Sequence, residues 1–147
     1  MAKVLFVCLG NICRSPLAEG VLKNHLITEN RPDIKVDSCG TSRYHIGEQP
    51  DPRTRKNAKE NGIILDHQAR QLTEDDFEAF DYLIAMDASN LEDMKKFTNY
   101  PKHKGKVHLL RDFDKENLGE DVPDPYFGGS RGFQDVFEIV GRSVVQF

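Results

Sequence analysis

The sequence predicts a three-layer α/β fold, in which a four-stranded parallel sheet carries helices on both faces. Short apolar runs typical of buried strands alternate along the chain with segments whose apolar residues recur at helical spacing. Strands joined through helices in this way lie parallel to one another. Because no linker, repeat or low-complexity tract divides the chain, residues 1–147 are expected to form one domain with one hydrophobic core.

The N-terminal third predicts a strand, a helix and a second strand. An apolar run marks the first strand over residues 3–8, and an amphipathic helix follows over 16–29. Ser15 is the expected N-cap of this helix, with Pro16 in its first turn. A shorter strand is predicted over 34–39.

The next helix is predicted to begin at Asp51-Pro52 and to end at Asn61-Gly62, which are typical start and stop signals. The remaining predicted elements are a short helix over 74–79 capped by Thr73, a strand over 82–86, a helix over 90–97, a strand over 107–110 and an amphipathic C-terminal helix with apolar residues from 133 to 144.

The segment after the first strand combines a thiol, five intervening residues and a guanidinium, from Cys8 to Arg14. It lies where a strand meets a helix N-terminus, which is a ready-made anion site at the carboxyl end of a parallel strand. A nucleophilic sulfur at the floor of such a site predicts a phosphatase that forms a cysteinyl-phosphate. The alternative is a buried strand-end thiol beside a surface arginine, because this bare spacing also recurs by chance.

Backbone N–H groups of the loop are expected to cradle the phosphate, since Gly10 and Asn11 tolerate the left-handed backbone that such a nest requires. Arg14 is expected to grip two phosphate oxygens with its planar fork. Cys8 must attack as a thiolate, which the N–H groups, Arg14 and the Ser15 hydroxyl would stabilise. The predicted phosphate-binding residues are Leu9, Gly10, Asn11, Ile12, Cys13, Arg14 and Ser15.

A phenolate leaves readily only if it is protonated as it departs, so the mechanism requires a carboxylic acid near the loop. Asp124, stiffened by Pro123 and Pro125, is the best candidate for general acid and then general base. An ordinary Asp-Pro turn is the alternative reading of this segment.

Aromatic residues are expected to wall the pocket mouth and to select a flat phenyl ring over a short phosphoserine. The candidates are Tyr126 and Phe127, with Tyr44 from the loop over residues 41–47. For Phe127, covering the hydrophobic core is an equal alternative.

Composition excludes several classes of function. The net charge of −4, from 20 basic and 24 acidic residues, argues against general nucleic-acid binding and against adhesion to an anionic membrane. No apolar run approaches the length of a membrane span, and no cleavable signal pattern is visible. Three cysteines without framework spacing are expected to be reduced thiols in the cytoplasm.

Taken together, these residues resemble the low-molecular-weight protein tyrosine phosphatases over nearly the whole chain. The matching stretches are Val-Cys-Leu-Gly-Asn-Ile-Cys-Arg-Ser-Pro at 7–16, Val-Asp-Ser at 36–38, Gly-Thr-Ser at 40–42, Asp-His-Gln-Ala-Arg-Gln at 66–71, Phe-Asp-Tyr at 80–82, Met-Asp-Ala-Ser-Asn-Leu at 86–91 and Asp-Pro-Tyr at 124–126.

The resemblance implies that Cys8 is the nucleophile, Arg14 the phosphate-binding residue and Asp124 the general acid. It also implies a polar network that holds the loop in its strained shape, formed by Asn11, Ser15, Ser38 and His67. Tyr44 matches a variable aromatic position at the pocket rim. Phe127 stands where many relatives have a second tyrosine, which removes any regulation by phosphorylation at that position.

Cys13 matches the second loop cysteine of the family. It is a candidate for closing a disulfide with an oxidised Cys8 and so protecting the nucleophile from overoxidation. A small apolar filler on the helix side is the alternative for this residue.

Three rival functions each fit part of this residue pattern. A thioredoxin-coupled arsenate reductase needs further cysteines downstream, but Cys39 is the last cysteine in the chain. A phosphate- or phosphopeptide-binding module would need neither Cys8 nor Asp124. A metal-dependent hydrolase is least favoured, since the histidines lack ligand spacing.

The sequence therefore predicts a cytoplasmic phosphatase of phosphotyrosine proteins and small aryl phosphates that uses no metal or cofactor. Inorganic phosphate is the expected product and competitive ligand. Nucleic acid and membrane are not expected partners, and the chain is expected to be a monomer or a weak homodimer.

Overall fold

The computed structural model describes residues 2–110, 134 and 136–141. The elements in chain order are β1 (Ala2–Cys8), α1 (Arg14–Thr28), β2 (Ile34–Gly40), α2 (Pro52–Glu60), α3 (Asp76–Ala79), β3 (Tyr82–Ala85), α4 (Ala88–Met94), α5 (Tyr100–His103), a 3₁₀ turn (Lys104–Lys106) and β4 (Val107–Leu109). Residues 134 and 136–141 are helical, within the span predicted for the C-terminal helix.

The sheet has the order β2-β1-β3-β4, and each neighbouring pair of strands is parallel. This confirms the predicted four-stranded parallel sheet. β1 is an inner strand, and its last residue, Cys8, lies opposite Gly40 of β2. The sulfur is thus placed at the carboxyl edge of the sheet, between two other strand ends.

Alternate residues of β1 point into two separate apolar layers, as expected for a strand buried on both faces. Val4 and Phe6 pack with the apolar side of α1 and with Val140 near the C-terminus. Leu5 packs on the other face, in a cluster that includes Phe77 of α3 and residues of α4. Each fully buried side chain of this size contributes about 1.5–3 kcal/mol to folding, so β1 is the best-anchored strand of the sheet.

The start of α1 differs from the prediction. The helix begins at Arg14, and Cys13 occupies the N-cap position without a side-chain capping hydrogen bond. Ser15 is therefore not the cap, because its hydroxyl lies 2.9 Å from the Cys8 sulfur instead. Pro16 is confirmed in the first turn, where its missing N–H costs no intrahelical hydrogen bond.

Thr73 is also not a helix cap. α3 is only four residues long, and Asp75 holds its N-cap position. A capping Thr73 hydroxyl would accept a hydrogen bond from the main chain of the helix. Here it donates instead, because the Asp76 carboxylate accepts hydrogen bonds from the Thr73 main chain and hydroxyl, at 2.8 and 3.1 Å.

The other boundaries shift by one or a few residues. α4 begins at Ala88 rather than at residue 90, because the Asp87 side chain caps it through the N–H of Asn90. α5 and the 3₁₀ turn were not predicted, since a basic segment around Pro101 lacks helical periodicity. None of the helices in the described part of the chain is both long and apolar enough to cross a membrane.

α2 begins at Pro52 as predicted, and the residue before it is hydrogen-bonded to the loop after β1. The Asp51 side chain accepts a hydrogen bond from the Arg53 N–H at 2.8 Å, and Pro52 opens the helix. The main-chain N–H of Asp51 donates to the Ile12 carbonyl at 2.7 Å, so the start of α2 also supports the loop after β1.

Replacing Asp51 with alanine should lower the free energy of unfolding at pH 7 by about 1 kcal/mol, the usual cost of a lost N-cap. Burial acts to raise the pKa of Asp51, but hydrogen bonds from Arg53 outweigh it, and the pKa is lowered. A carboxyl with a lowered folded pKa stabilises the protein above its unfolded pKa, and this is lost as the pH falls through the folded pKa. Urea unfolding of wild type and Asp51→Ala at pH 7 and at about pH 3 should show a smaller difference at the acidic pH. An equal difference at both would contradict the ionic role.

Candidate active site

The Cys8 sulfur lies at the bottom of a loop that turns back over it. The side chain is buried, and the main-chain N–H of Asn11 donates to Sγ at 3.2 Å. The Ser15 hydroxyl lies 2.9 Å from Sγ and also reaches the Cys39 carbonyl at 3.3 Å. The Asn11 N–H is thus directed at the sulfur, and the Ser15 hydroxyl lies within hydrogen-bond distance of it. Donors placed in this way stabilise a thiolate.

Asn11 holds the loop in this shape. It is fully buried and has a φ of 57°, a left-handed conformation that is uncommon outside glycine. Its Nδ2 donates to Ser15 Oγ at 2.8 Å and to Ser38 Oγ at 3.0 Å. Its Oδ1 accepts from His67 Nε2 at 2.7 Å and from the Arg70 main-chain N–H at 3.0 Å. These bonds saturate the amide and offset the backbone strain.

The carboxylates of Glu19 and Asp37 hold two of the residues that bind Asn11, namely Ser38 and His67. The Ser38 hydroxyl donates to Glu19 Oε1 at 2.6 Å. The other ring nitrogen of His67, Nδ1, lies 3.2 Å from Glu19 Oε1 and 3.8 Å from Asp37 Oδ1. An oxygen therefore lies beside each ring nitrogen of His67, Asn11 Oδ1 at Nε2 and Glu19 Oε1 at Nδ1, and these contacts orient the ring toward Asn11.

The Arg14 guanidinium is buried and forms an ion pair with Asp87, with 2.5 Å between Nη1 and Oδ2. The other carboxylate oxygen of Asp87 caps α4 through the Asn90 N–H at 2.7 Å. A single carboxylate thus fixes the guanidinium relative to the sheet. The structure brings Cys8, Arg14, Asn11 and Ser15 together around one loop.

The comparisons with known proteins agree with this geometry. A solved protein tyrosine phosphatase from Entamoeba histolytica superposes with a TM-score of 0.95 at 39% identity, over 99% of this chain and 94% of that one. A solved drosophila arginine phosphatase has a TM-score of 0.91 at 37% identity, over 99% and 94% of the two chains. A low molecular weight phosphotyrosine protein phosphatase of Schizosaccharomyces pombe is 46% identical over 138 residues, 92% of this chain and 87% of that protein. The family model described as low molecular weight phosphotyrosine protein phosphatase matches residues 3–147.

The chain belongs to the low molecular weight phosphotyrosine protein phosphatase family. Family membership makes it a hydrolase, and it confirms the predicted fold and class of activity.

Asp87 is one residue of this site that the sequence interpretation missed. It follows β3, the strand beside β1, so its side chain emerges at the same edge of the sheet as Cys8. That position after a buried strand was the available signal, but an aspartate before a helix is more often an ordinary cap. Here it is both a cap and the partner of Arg14.

The other predicted residues fall into three groups. Ile12 and Cys13 are buried, whereas Leu9 is 46% exposed and Tyr44 is 83% exposed, the latter in the segment assigned to the pocket rim. Cys13 is a free thiol, as are Cys8 and Cys39, so the protective disulfide stays a prediction. The residues Asp124, Tyr126 and Phe127 lie outside the described part of the chain.

Cys39 is the third thiol of the chain. It lies on β2, is fully buried, and burial raises the pKa of its thiol well above the ordinary value. A thiol with a raised pKa is protonated at neutral pH, so Cys39 is not a candidate nucleophile.

A metal site is the alternative role for the carboxylates that hold Ser38 and His67. Glu19, Asp37 and His67 each place a ligand atom within 4.8 Å of the others. However, Lys23 lies 2.5 Å from Glu19, and Arg70 lies 3.1 Å from Asp37. Because both carboxylates already have cationic partners, ion pairing accounts for the cluster without a metal.

Gly40 allows the end of β2 to approach the loop. A Cβ at this position would lie 2.6 Å from the Leu9 carbonyl oxygen and 3.1 Å from the Asn11 nitrogen. Next to it, the Thr41 N–H donates to the Cys8 carbonyl and the Ser42 N–H donates to the Leu9 carbonyl, both at 2.9 Å. Only glycine fits here without moving the main chain of the loop.

Replacing Gly40 with alanine should lower kcat/KM for p-nitrophenyl phosphate by roughly 10- to 100-fold, since overpacking costs about 1–3 kcal/mol and the loop must absorb it. Gly105→Ala is the matched control, because a Cβ there meets nothing within 4 Å. Steady-state kinetics on both variants check the prediction, and equal activities would contradict the tight approach.

Replacing Asp87 with asparagine should lower kcat/KM roughly tenfold, because a hydrogen bond to a charged group contributes about 1.5–3 kcal/mol. The asparagine side chain can still cap α4, so any fall in the melting temperature reports the lost ion pair and not a lost cap. Asp33→Asn, which alters an exposed ion pair with Arg31, serves as control. Unchanged kinetics in Asp87→Asn would contradict a role of this ion pair in orienting Arg14.

Proposed function

We propose that this protein hydrolyses phosphotyrosine in proteins, and small aryl phosphates, in two steps through a phosphate ester of the Cys8 sulfur. The observation that carries the proposal is the environment of Sγ, which faces the Asn11 N–H and the Ser15 hydroxyl at the start of α1. The buried Arg14, oriented by Asp87, supplies the charge that a dianionic ester requires.

In the first step, the Cys8 thiolate attacks phosphorus and the bond from phosphorus to the aryl oxygen breaks. Asp124 gives its proton to the departing oxygen, so a neutral phenol leaves. Arg14 binds two of the phosphate oxygens, and the N–H groups of residues 9–14 bind the oxygens as charge shifts among them. The Ser15 hydroxyl lies 2.9 Å from the sulfur, where it can stabilise the thiolate before the phosphoryl group is transferred and after it has left.

In the second step, water attacks phosphorus and the bond from sulfur to phosphorus breaks. Asp124, now a carboxylate, takes a proton from this water. The sulfur leaves as a thiolate, which the Asn11 N–H and the Ser15 hydroxyl again stabilise. Inorganic phosphate is the second product, and it competes with substrate because it occupies the same cradle.

The proposal includes the surroundings of the site. Tyr44, Tyr126 and Phe127 form an aromatic rim that favours phosphotyrosine, and the exposure of Tyr44 supports a contact with substrate. A cytoplasmic setting keeps the thiols reduced, in keeping with three free cysteines. Cys13 traps an oxidised Cys8 as a disulfide. The protein acts as one domain over residues 1–147, and as a monomer or weak homodimer.

The test is hydrolysis of p-nitrophenyl phosphate in the presence of EDTA by wild type, Cys8→Ser and Asp124→Ala. Cys8→Ser should lose turnover, and Asp124→Ala should lose roughly 10²- to 10⁴-fold, the usual contribution of general acid catalysis. Cys39→Ala is the matched control, since it removes a buried thiol that stays neutral. Turnover by Cys8→Ser would overturn the mechanism.

A second arm of the same test addresses the substrate. Because the drosophila protein of similar structure is an arginine phosphatase, phosphoarginine and phosphotyrosine are compared at equal concentration. Phosphotyrosine should be the better substrate. A higher kcat/KM for phosphoarginine would replace the substrate but leave the cysteine mechanism standing.

A further inference from the structure

The segment over residues 67–72 lies outside the helices and strands, with one isolated β-bridge from Gln71 to Gly40, yet it supplies both donors to the side-chain amide oxygen of Asn11, Oδ1. One donor is His67 Nε2 and the other is the main-chain N–H of Arg70. The position of this segment therefore determines where the amide of Asn11 lies. Because Asn11 has a left-handed backbone, the direction of its own N–H toward Cys8 depends on the same contacts.

Main-chain hydrogen bonds attach the segment on two sides. The Gly40 N–H donates to the Arg70 carbonyl at 2.8 Å, and the Leu72 N–H donates to the Gly40 carbonyl at 2.7 Å. The Ala69 N–H donates to the Glu48 carbonyl at 2.8 Å. These bonds attach the segment to the end of β2 and to Glu48. They do not connect it to the carboxylates of Asp37 and Asp76.

The side chain of Arg70 provides a third attachment. Its Nε donates to Asp37 Oδ2 at 3.1 Å, and its two terminal nitrogens donate to the two oxygens of Asp76 at 3.0 and 3.2 Å. The guanidinium thus joins β2 to the start of α3. Bonds from three of its nitrogens restrict the Arg70 side chain, and the Arg70 main chain binds Asn11. Burial acts to lower the pKa of Arg70, but the hydrogen bonds and charges of its carboxylate partners outweigh it, and the pKa is raised.

We propose that Arg70 is a positioning residue of the phosphate site, which acts through Asn11 and never touches substrate. Its guanidinium anchors residues 67–72, which hold the two donors to the Asn11 side chain in place. Asn11 in turn keeps the N–H groups of the loop directed at phosphate. The inference rests on the proposed function of the loop as a phosphate cradle. Displacement of a binding group by even 1 Å can cost catalysis about 100-fold, so an anchor of this kind has a measurable effect.

The variant that tests the anchor is Arg70→Gln, which keeps the main-chain donor and removes the guanidinium. We expect kcat/KM for p-nitrophenyl phosphate to fall roughly 10- to 100-fold, and the dissociation constant for inorganic phosphate to rise about tenfold. Arg70→Lys should recover only part of the loss, because an ammonium cannot bind both oxygens of Asp76 in a fixed plane. The matched control is Arg31→Gln, since Arg31 also binds both oxygens of one carboxylate, that of the exposed Asp33.

Phosphate binding is measured by calorimetry, which does not depend on turnover. Wild-type turnover tests the proposed function, whereas the difference in phosphate affinity between wild type and Arg70→Gln tests the anchor. Circular dichroism at the assay temperature ensures that folded variants are compared, and Arg70→Lys is the milder variant if Arg70→Gln unfolds. Asp76→Asn should give a similar loss, and the double variant should lose little more than either single one.

Two results would overturn the inference. Wild-type kcat/KM and phosphate affinity in Arg70→Gln would show that the main-chain bonds suffice. A lower melting temperature with unchanged phosphate affinity would show that Arg70 stabilises the fold without positioning the site.

Discussion

The left-handed backbone of Asn11 is the constraint on which the rest of the site depends. This conformation is uncommon outside glycine, and although asparagine tolerates it better than most residues, the groups around Asn11 offset what it costs. Here the surroundings are Ser15, Ser38, His67 and Arg70, which saturate one amide group. Asn11 combines a left-handed backbone with a saturated amide, and its own N–H is thereby directed at the Cys8 sulfur.

The residues that hold Asn11 come from distant parts of the chain, but each is at the end of a regular element or in an anchored segment. Ser15 is in the first turn of α1, and Ser38 is near the end of β2. The parallel sheet brings these ends to one edge, and the charged groups Glu19 and Asp37 then fix His67 behind them. The site is consequently a property of the sheet topology as much as of the loop sequence.

Sequence reasoning predicted what depends on local pattern and failed where a side chain has a distant partner. The strands, α2 and the loop between Cys8 and Arg14 follow from apolar periodicity and start signals, and the structure confirms them. Ser15 is the cap of α1 that the sequence predicts, because a serine before a proline is a common helix start. In the structure its hydroxyl contacts the Cys8 sulfur instead. Asp87 was missed because its partner Arg14 is 73 residues away along the chain. Arg70 was missed because its main chain binds Asn11, 59 residues away, and its guanidinium binds Asp37, 33 residues away. No pattern within a short window reports such pairs.

One consequence follows from the start of α1, which lacks a side-chain cap of its own. A helix without a cap presents its first N–H groups, with their partial positive charge, at the base of the loop. On the proposed function, a phosphate group seated there would take the place of a side-chain cap, so ligand binding would also complete a helix. Each catalytic cycle would then close and reopen the end of the helix that packs beside the central strand. Occupancy of the site would thereby be coupled to the cohesion of the main apolar layer, because a ligand that binds only the folded chain stabilises it.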